Sequence, residues 1–343
     1  MRPLTLTVGS RPVGDGQPAL VVAEVAQAHE GSADTALRMI EAAFKMGADA
    51  VLFQVFRTER LVVRRHPERR TLDEVELGVK DWRRVLKAAK ASGLGVLIEA
   101  FDPPSLELAA EMDADGYRVP ATDMENPAFL RAVATAGKPV FLTVGGLGEA
   151  ALREAIDLVG ALPLGLLHGL PSFPVPLEEA RLRDIEVLKE RHHVPVGFLD
   201  RTDGGSAFAL VAPALAVACG ADLVQKHFTL DRSRKGHDYQ PSVSPEDFYR
   251  MVELLRQAER ARGDGPPAEG EEARRARRNF RRSVVAGSLI PRGEVLTASM
   301  LAFKRTDVRF AAGIAPKEAD RLIGRRAARP IQADEVIQED MLE

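Results

Sequence analysis

Short runs of apolar, often β-branched residues alternate with longer stretches whose apolar positions recur every three to four residues. The alternation repeats eight times. Leu20–Glu24, Ala50–Phe53, Gly95–Ala100, Gly116–Pro120, Pro139–Thr143, Leu164–His168, Val196–Asp200 and Asp222–Phe228 read as strands buried on both faces. Between the first two, Leu37, Ile40, Ala43 and Phe44 fall on one helical face, and Gly47 closes that helix. Ser32, Asp102, Asn126 and Ser244 stand where helix N-caps belong, the last three directly before proline. A polar insertion, RTERLVVRRHPERRTLDEVE, separates the second strand from a helix through Trp82, Val85, Leu86 and Ala89. Eight strand–helix units over about 250 residues is the arithmetic of a (β/α)8 TIM barrel within the α/β class. A doubly wound open sheet is the rival, but no GxGxxG follows the first strand.

The texture changes near Gly263. The stretch GDGPPAEGEE is a proline, glycine and acid linker, and Ala273–Arg282 packs six arginines into ten residues. Short β runs and a Pro-Arg-Gly-Glu turn follow, and the close of the chain repeats that texture in PIQADEVI. The expected division is a barrel over residues 1–262, a linker and basic segment over 263–282, and a small β-rich module over 283–343. The formal net charge of -3 supplies no basic field for nucleic acid, and the arginine run holds a single aromatic, Phe280. That run reads as a solvated helix or an oligomer contact. No stretch reaches about 18 apolar residues and the N-terminus lacks a signal-peptide apolar region, so a soluble, cytoplasmic protein without a membrane partner is expected. The single cysteine, Cys219, excludes an internal disulfide and reads as a small buried residue.

A barrel places its chemistry at the C-terminal ends of its strands. Those ends carry Glu24, Gln54, Glu99 with Asp102, Arg118, Asp123, Thr143, His168, Asp200 with Arg201, and Lys226 with His227. Each alone is weak evidence, because a strand-end acid or histidine is often satisfied by a nearby loop. Their convergence on one mouth is the signal, since so many ionisable groups are costly to bury without a purpose.

Several of these segments also carry a family resemblance. AEVAQAHEG, GADAVLFQVF, AFDPPSLELAAEM, GKPVFLTVGG, LLHGLPSFPVP, VPVGFLDRTDGG, VQKHFTLDR and GHDYQPSVSPEDF resemble, in order and spacing, motifs of the sialic acid synthase family. RRSVVAGSLIPRGEVLTASMLAFKR and IGRRAARPIQADEVI resemble the antifreeze-like, or SAF, domain that follows the barrel in that family. The resemblance covers nearly the whole chain. It implies a synthase that condenses phosphoenolpyruvate with an amino-sugar aldehyde, and a domain-swapped homodimer.

The departures fall on chemistry. The resemblance implies a divalent ion, Mn2+ or Mg2+, held by two histidines. His227 matches the second, whereas Arg201 stands at the first, and a guanidinium cannot ligate a cation. The phosphate-contacting basic residue before Phe-Gln is Leu52, and the strand-four lysine is Arg118, which could grip a phosphate bidentately. Thr143 replaces a serine, and Ser172-Phe173 replaces the Asn-Tyr of the sugar pocket. Glu24, Gln54, Phe101, Asp102, Asp123, His227, Asp238 and Lys304-Arg305 are retained, and the resemblance implies that Arg305 reaches a partner's barrel.

The implied catalytic set is Glu24, Asp123, Arg201, His227 and Asp238, with Gln54, Phe101, Arg118, Thr143, Ser172, Phe173, Lys226 and Arg305 as binding residues. On this expectation Arg201 is a fixed positive charge in the metal's place, while an acid positions water. Two other readings stay open. One is an aldolase in which Lys226 forms a Schiff base. The other is a non-catalytic homologue that binds a sugar acid.

Overall fold

The structure is a computed structural model that describes residues 5–263, 270–306 and 313–343. It divides into two compact units, Met1–Asp264 and Gly265–Glu343.

The first unit is a closed parallel barrel. After β1 (Thr5–Val8) and β2 (Arg11–Gly14) come β3 (Leu20–Ala26), β4 (Ala50–Val55), β5 (Gly95–Ala100) and β6 (Gly116–Val119). The circuit continues through β7 (Val140–Thr143), β8 (Leu164–His168), β9 (Val196–Asp200) and β10 (Leu223–His227), and β10 pairs with β3 to close it. All eight anticipated strands are present. The four anticipated caps hold as well, with the side chains of Ser32, Asp102, Asn126 and Ser244 accepting from the amides of Thr35, Ser105, Phe129 and Asp247. One face was placed wrongly. The helix Ala33–Lys45 buries Ala36, Met39, Ile40 and Ala43, and Phe44 is 60% exposed. A residue adjacent to Ala43 is turned about 100° around the helix, out of the apolar stripe.

Side chains alternate across each strand, so one set fills the barrel and the other meets the helices. The inner set is apolar low in the barrel, where Leu20, Val22, Leu52, Leu97, Phe141 and Leu167 pack in one cluster. Gly165 and Gly197 make room in it, because a Cβ on either would lie 2.6 Å from the Phe141 ring or 2.7 Å from Leu167. The floor is sealed by a hairpin that the strand pattern did not anticipate. β1 and β2 pair antiparallel, with Val8 opposite Arg11 across a Gly9-Ser10 turn. Leu6, Val8 and Val13 from this hairpin join the inner cluster. Leu52 is fully buried there, which gives the replacement of a basic residue a packing role in a dry floor.

The second unit has a helix Glu271–Phe280 and a two-stranded antiparallel sheet, β11 (Arg282–Ala286) with β12 (Leu301–Arg305). The arginine run therefore spans a helix and the start of a strand. The linker residues 264–269 lie outside the described residues. The two segments of similar texture face one another, since Ile290 and Ile331 exchange backbone hydrogen bonds of 2.9 Å in both directions. Val284, Ile290, Leu296, Leu322, Ile331 and Ile337 form its core. Cys219 is half-buried at the end of the helix Phe208–Ala218. Among the described residues, no helix is long and apolar enough to cross a membrane.

Candidate active site

One step above the apolar floor, the inner positions change from apolar to polar or charged. Val22 gives way to Glu24, Leu52 to Gln54, Leu97 to Glu99 and Phe141 to Thr143. On β10 the same inner row runs from Leu223 to Gln225 and His227. The parallel register sets Glu24 beside His227 and Glu99 beside both Gln54 and Arg118.

Arg118 is the centre of this layer. Its Nε donates to Glu99 Oε1 at 2.9 Å, its Nη2 to Glu99 Oε2, and its Nη1 to Glu24 Oε1 at 3.1 Å. Glu99 also accepts from Gln54 Nε2 at 2.8 Å, and Glu24 from Gln225 Nε2 at 2.5 Å. The edge of Arg118 expected to grip a phosphate bidentately is therefore occupied by Glu99. Glu99 was expected at the mouth but given no role, and Gln225 escaped the expected set, although the period-two alternation from Leu223 was a signal that could have found it.

Glu24 is fully buried, and burial alone would raise its pKa. The Arg118 and Arg201 charges and the Gln225 bond outweigh burial and hold it at about 2. Glu24 is thus a carboxylate at neutral pH. His227 Nδ1 lies 3.2 Å from Glu24 Oε2, yet burial, helped by the Arg201, Arg118 and Lys226 charges, lowers its pKa to about 3. The imidazole is neutral at neutral pH. Asp238 has a backbone φ of 56° and accepts from the Gln27 amide at 3.1 Å. Burial and the Glu24 charge push its pKa up.

Two cavities open above this layer. A cavity of about 170 Å3 is bordered by Glu99, Phe101, Arg118 and Thr143, and the Thr143 hydroxyl has no partner among the described residues. A cavity of about 450 Å3 is bordered by Gln27, Phe173, His227, His237, Asp238 and Tyr239. Gln54 and Arg201 border both. Arg201 is buried, its Nη1 donates to the Pro171 carbonyl at 2.5 Å, and its Cζ lies 6.0 Å from the centre of the Phe173 ring. A separate hollow of about 750 Å3 beside the polar insertion is lined by Arg60, Arg64 and Arg69 and shares no residue with the mouth.

The remaining expected residues are dispersed. Lys226 points away from the lumen, between His227 and Gln225, and is fully buried in an ion pair with Asp200 at 3.0 Å. Its ammonium borders neither cavity, which removes the geometric basis for a Schiff-base nucleophile. His168 also faces outward, with Nε2 3.0 Å from the Ala180 carbonyl and its ring stacked on Phe198. Asp123 lies in a turn where Thr122 and Asn126 donate to it, and Asp102 is committed to the Ser105 and Arg57 amides. Ser172 is exposed and borders neither cavity, unlike its neighbour Phe173. Arg305 lies in the second unit, exposed, with its guanidinium 5.0 Å from the Phe280 ring.

The donor set does not suit the divalent ion that the resemblance implies. Arg201 has no lone pair to give, and Glu24 already receives Arg118 and Gln225. Among the described residues, no three His, Cys, Asp or Glu side chains are grouped to hold an ion.

A closed barrel with a buried charged layer beneath paired cavities at its C-terminal mouth has the build of barrel enzymes. Residues 39–266 match the NeuB family and residues 281–343 match the SAF domain, so the chain belongs to the NeuB family and carries a SAF domain. An uncharacterised protein of Methanocaldococcus jannaschii is 30% identical, with 98% of each chain covered. The N,N'-diacetyllegionaminic acid synthase of Campylobacter jejuni is 27% identical, covering 93% of this chain and 99% of its own. A solved structure of N-acetylneuraminic acid (sialic acid) synthetase from Leptospira borgpetersenii, in complex with citrate, superposes with a TM-score of 0.74 at 27% identity. It covers 80% of this chain and 96% of that one. The relatives with a stated activity are sugar-acid synthases, and this chain belongs to the same family.

Proposed function

We propose that the barrel condenses phosphoenolpyruvate with an amino-sugar aldehyde of the N-acetylmannosamine type, giving a 2-keto-3-deoxy sugar acid and inorganic phosphate. The observation that carries this reading is the pair of cavities meeting at Gln54 and Arg201. The smaller suits a three-carbon acid and the larger suits a sugar.

In this reading C3 of the enol attacks the aldehyde carbon, and the aldehyde oxygen becomes an alkoxide. Water adds to C2, the bond between C2 and the phosphate oxygen breaks, and C2 becomes a ketone. One water proton ends on the new hydroxyl and the other on phosphate. Thr143 meets the donor's anionic groups, Arg201 stands at the seam between donor and acceptor, and Phe101 covers the donor's apolar edge. Gln54, held by Glu99, orients the reacting carbons. Asp238, whose pKa is raised, carries a proton between water and alkoxide. Glu24 sets the field, His227 lines the path of the water, and Phe173 packs on the acceptor. Asp123 enters only if its turn rearranges on binding. Residues 1–262 carry the chemistry, and the module 283–343 presents Arg305 to a partner's barrel in a homodimer.

One observation favours a second reading, a sugar-acid binder without turnover. Arg118 is committed to two carboxylates and Leu52 offers no charge, so of the arginines bordering the donor cavity Arg201 alone is left for the donor's two anionic groups. Phosphate release from phosphoenolpyruvate, measured across a panel of N-acylated hexosamine aldehydes, separates the two. Release that depends on one acceptor, with a 2-keto acid formed in equal amount, supports the synthase. No release with any acceptor, together with tight binding of sialic acid-like products, supports the binder.

A further inference from the structure

Arg201 is an anomaly in charge pairing. Arg118, in the same layer, has Nε, Nη1 and Nη2 on carboxylates. Arg201 is also buried, though less deeply, yet among the described residues it forms no ion pair. Nη1 rests on a carbonyl oxygen, and Nε has no partner. The nearest opposite charges, Glu24, Glu99 and Asp238, attract it only from a distance, and burial lowers its pKa. Removing a cation from water without a counter-ion is costly, so such a group is expected to meet its anion in the ligand. Its place sharpens the point, because Arg201 borders both cavities at the seam where a carbon–carbon bond between their occupants would form.

We infer that the Arg201 guanidinium is the electrophile that holds the acceptor's carbonyl oxygen as it becomes an alkoxide, and that this chain turns over without a divalent ion. The inference rests on the synthase reading above. Guanidinium N–H groups supply fixed positive charge to the developing alkoxide as an oxyanion hole does. They ionise no water, so the step at C2 is left to protein acids and bases.

The test uses the full-length chain, with Mn2+ as the probe ion. Mn2+ uptake is read from loss of the free-ion electron paramagnetic resonance signal, and turnover from phosphate release with and without chelator. The wild-type chain is expected to leave the Mn2+ signal unchanged and to release phosphate equally in chelator. Arg201→Gln should lower kcat about 10²–10³-fold with a smaller change in KM for phosphoenolpyruvate. Arg201→Lys, which keeps the charge, should restore part of the rate and guards against misfolding. Arg201→His should take up one Mn2+ per chain with His227. Stoichiometric Mn2+ uptake by the wild-type chain, chelator-sensitive turnover, or an Arg201→Gln rate within threefold of wild type overturns the inference. Mn2+ uptake does not depend on turnover. If no acceptor supports phosphate release, the synthase reading fails. Uptake by Arg201→His alone would still place Arg201 where an ion would sit, and uptake by the wild-type chain would still refute it.

Discussion

Replacing Arg118 by methionine tests the charged layer directly. The substitution roughly keeps volume but strips the buried Glu24 and Glu99 carboxylates of their shared cation, leaving hydrogen bonds from Gln225 and Gln54 and the His227 ring beside Glu24. Breaking a buried ion pair by removing one partner costs about 3–5 kcal/mol. The dependence on pH is more diagnostic than the size. In the wild-type chain the Glu24 carboxyl sits at about 2 against an ordinary 4.5, which corresponds to about 3 kcal/mol of folding free energy. Because the folded value is depressed, that stability is present above pH 4.5 and is lost as the pH falls toward 2.

Without Arg118, burial gains the upper hand and moves the Glu24 pKa back upward, so protonation relieves the variant while it weakens the wild-type chain. Urea unfolding followed by tryptophan emission reads this cleanly, since Trp82 is the only tryptophan and is buried in the barrel. The gap between the two proteins should be about 3–5 kcal/mol at pH 7 and at least about 1 kcal/mol smaller at pH 4. A gap below about 1 kcal/mol at pH 7, or one that widens on acidification, refutes the account.

Two further substitutions probe opposite ends of the barrel. Leu6→Ala removes an apolar side chain from the floor and should cost about 2–5 kcal/mol by urea titration, while the phosphate-release rate stays unchanged because Leu6 belongs to the apolar floor and borders neither cavity. Gly145→Ala places a Cβ 1.9 Å from the Gly169 carbonyl oxygen, between the loops after β7 and β8. It should cost about 1–3 kcal/mol and raise KM for phosphoenolpyruvate by displacing Thr143 and Pro171 at the smaller cavity, and an unchanged KM would argue against that coupling.

Much of this molecule is local pattern. Four N-caps, eight strands and a mouth rich in ionisable residues follow from composition at fixed spacing, because helix and strand periods act over a few residues. The charge replacements at Leu52 and Arg201 are legible once the chain is set against the motifs it resembles. What each polar group meets is another matter. Lys226 and His227 are neighbours in sequence, yet one pairs with Asp200 outside the lumen and the other faces Glu24 within it. His168 looked like a site residue and packs outward, and Arg118 looked like a free cation and is held by two acids. The four-residue strands of the floor hairpin are too short to announce their docking site. These outcomes depend on closure, since β10 and β3 pair across about 200 residues of chain and only that register brings Glu24, Gln225 and His227 into one layer. Sequence determined which elements form and which chemistry is available, and tertiary structure decided which charges are neutralised and which, like Arg201, have no ion-pair partner among the described residues.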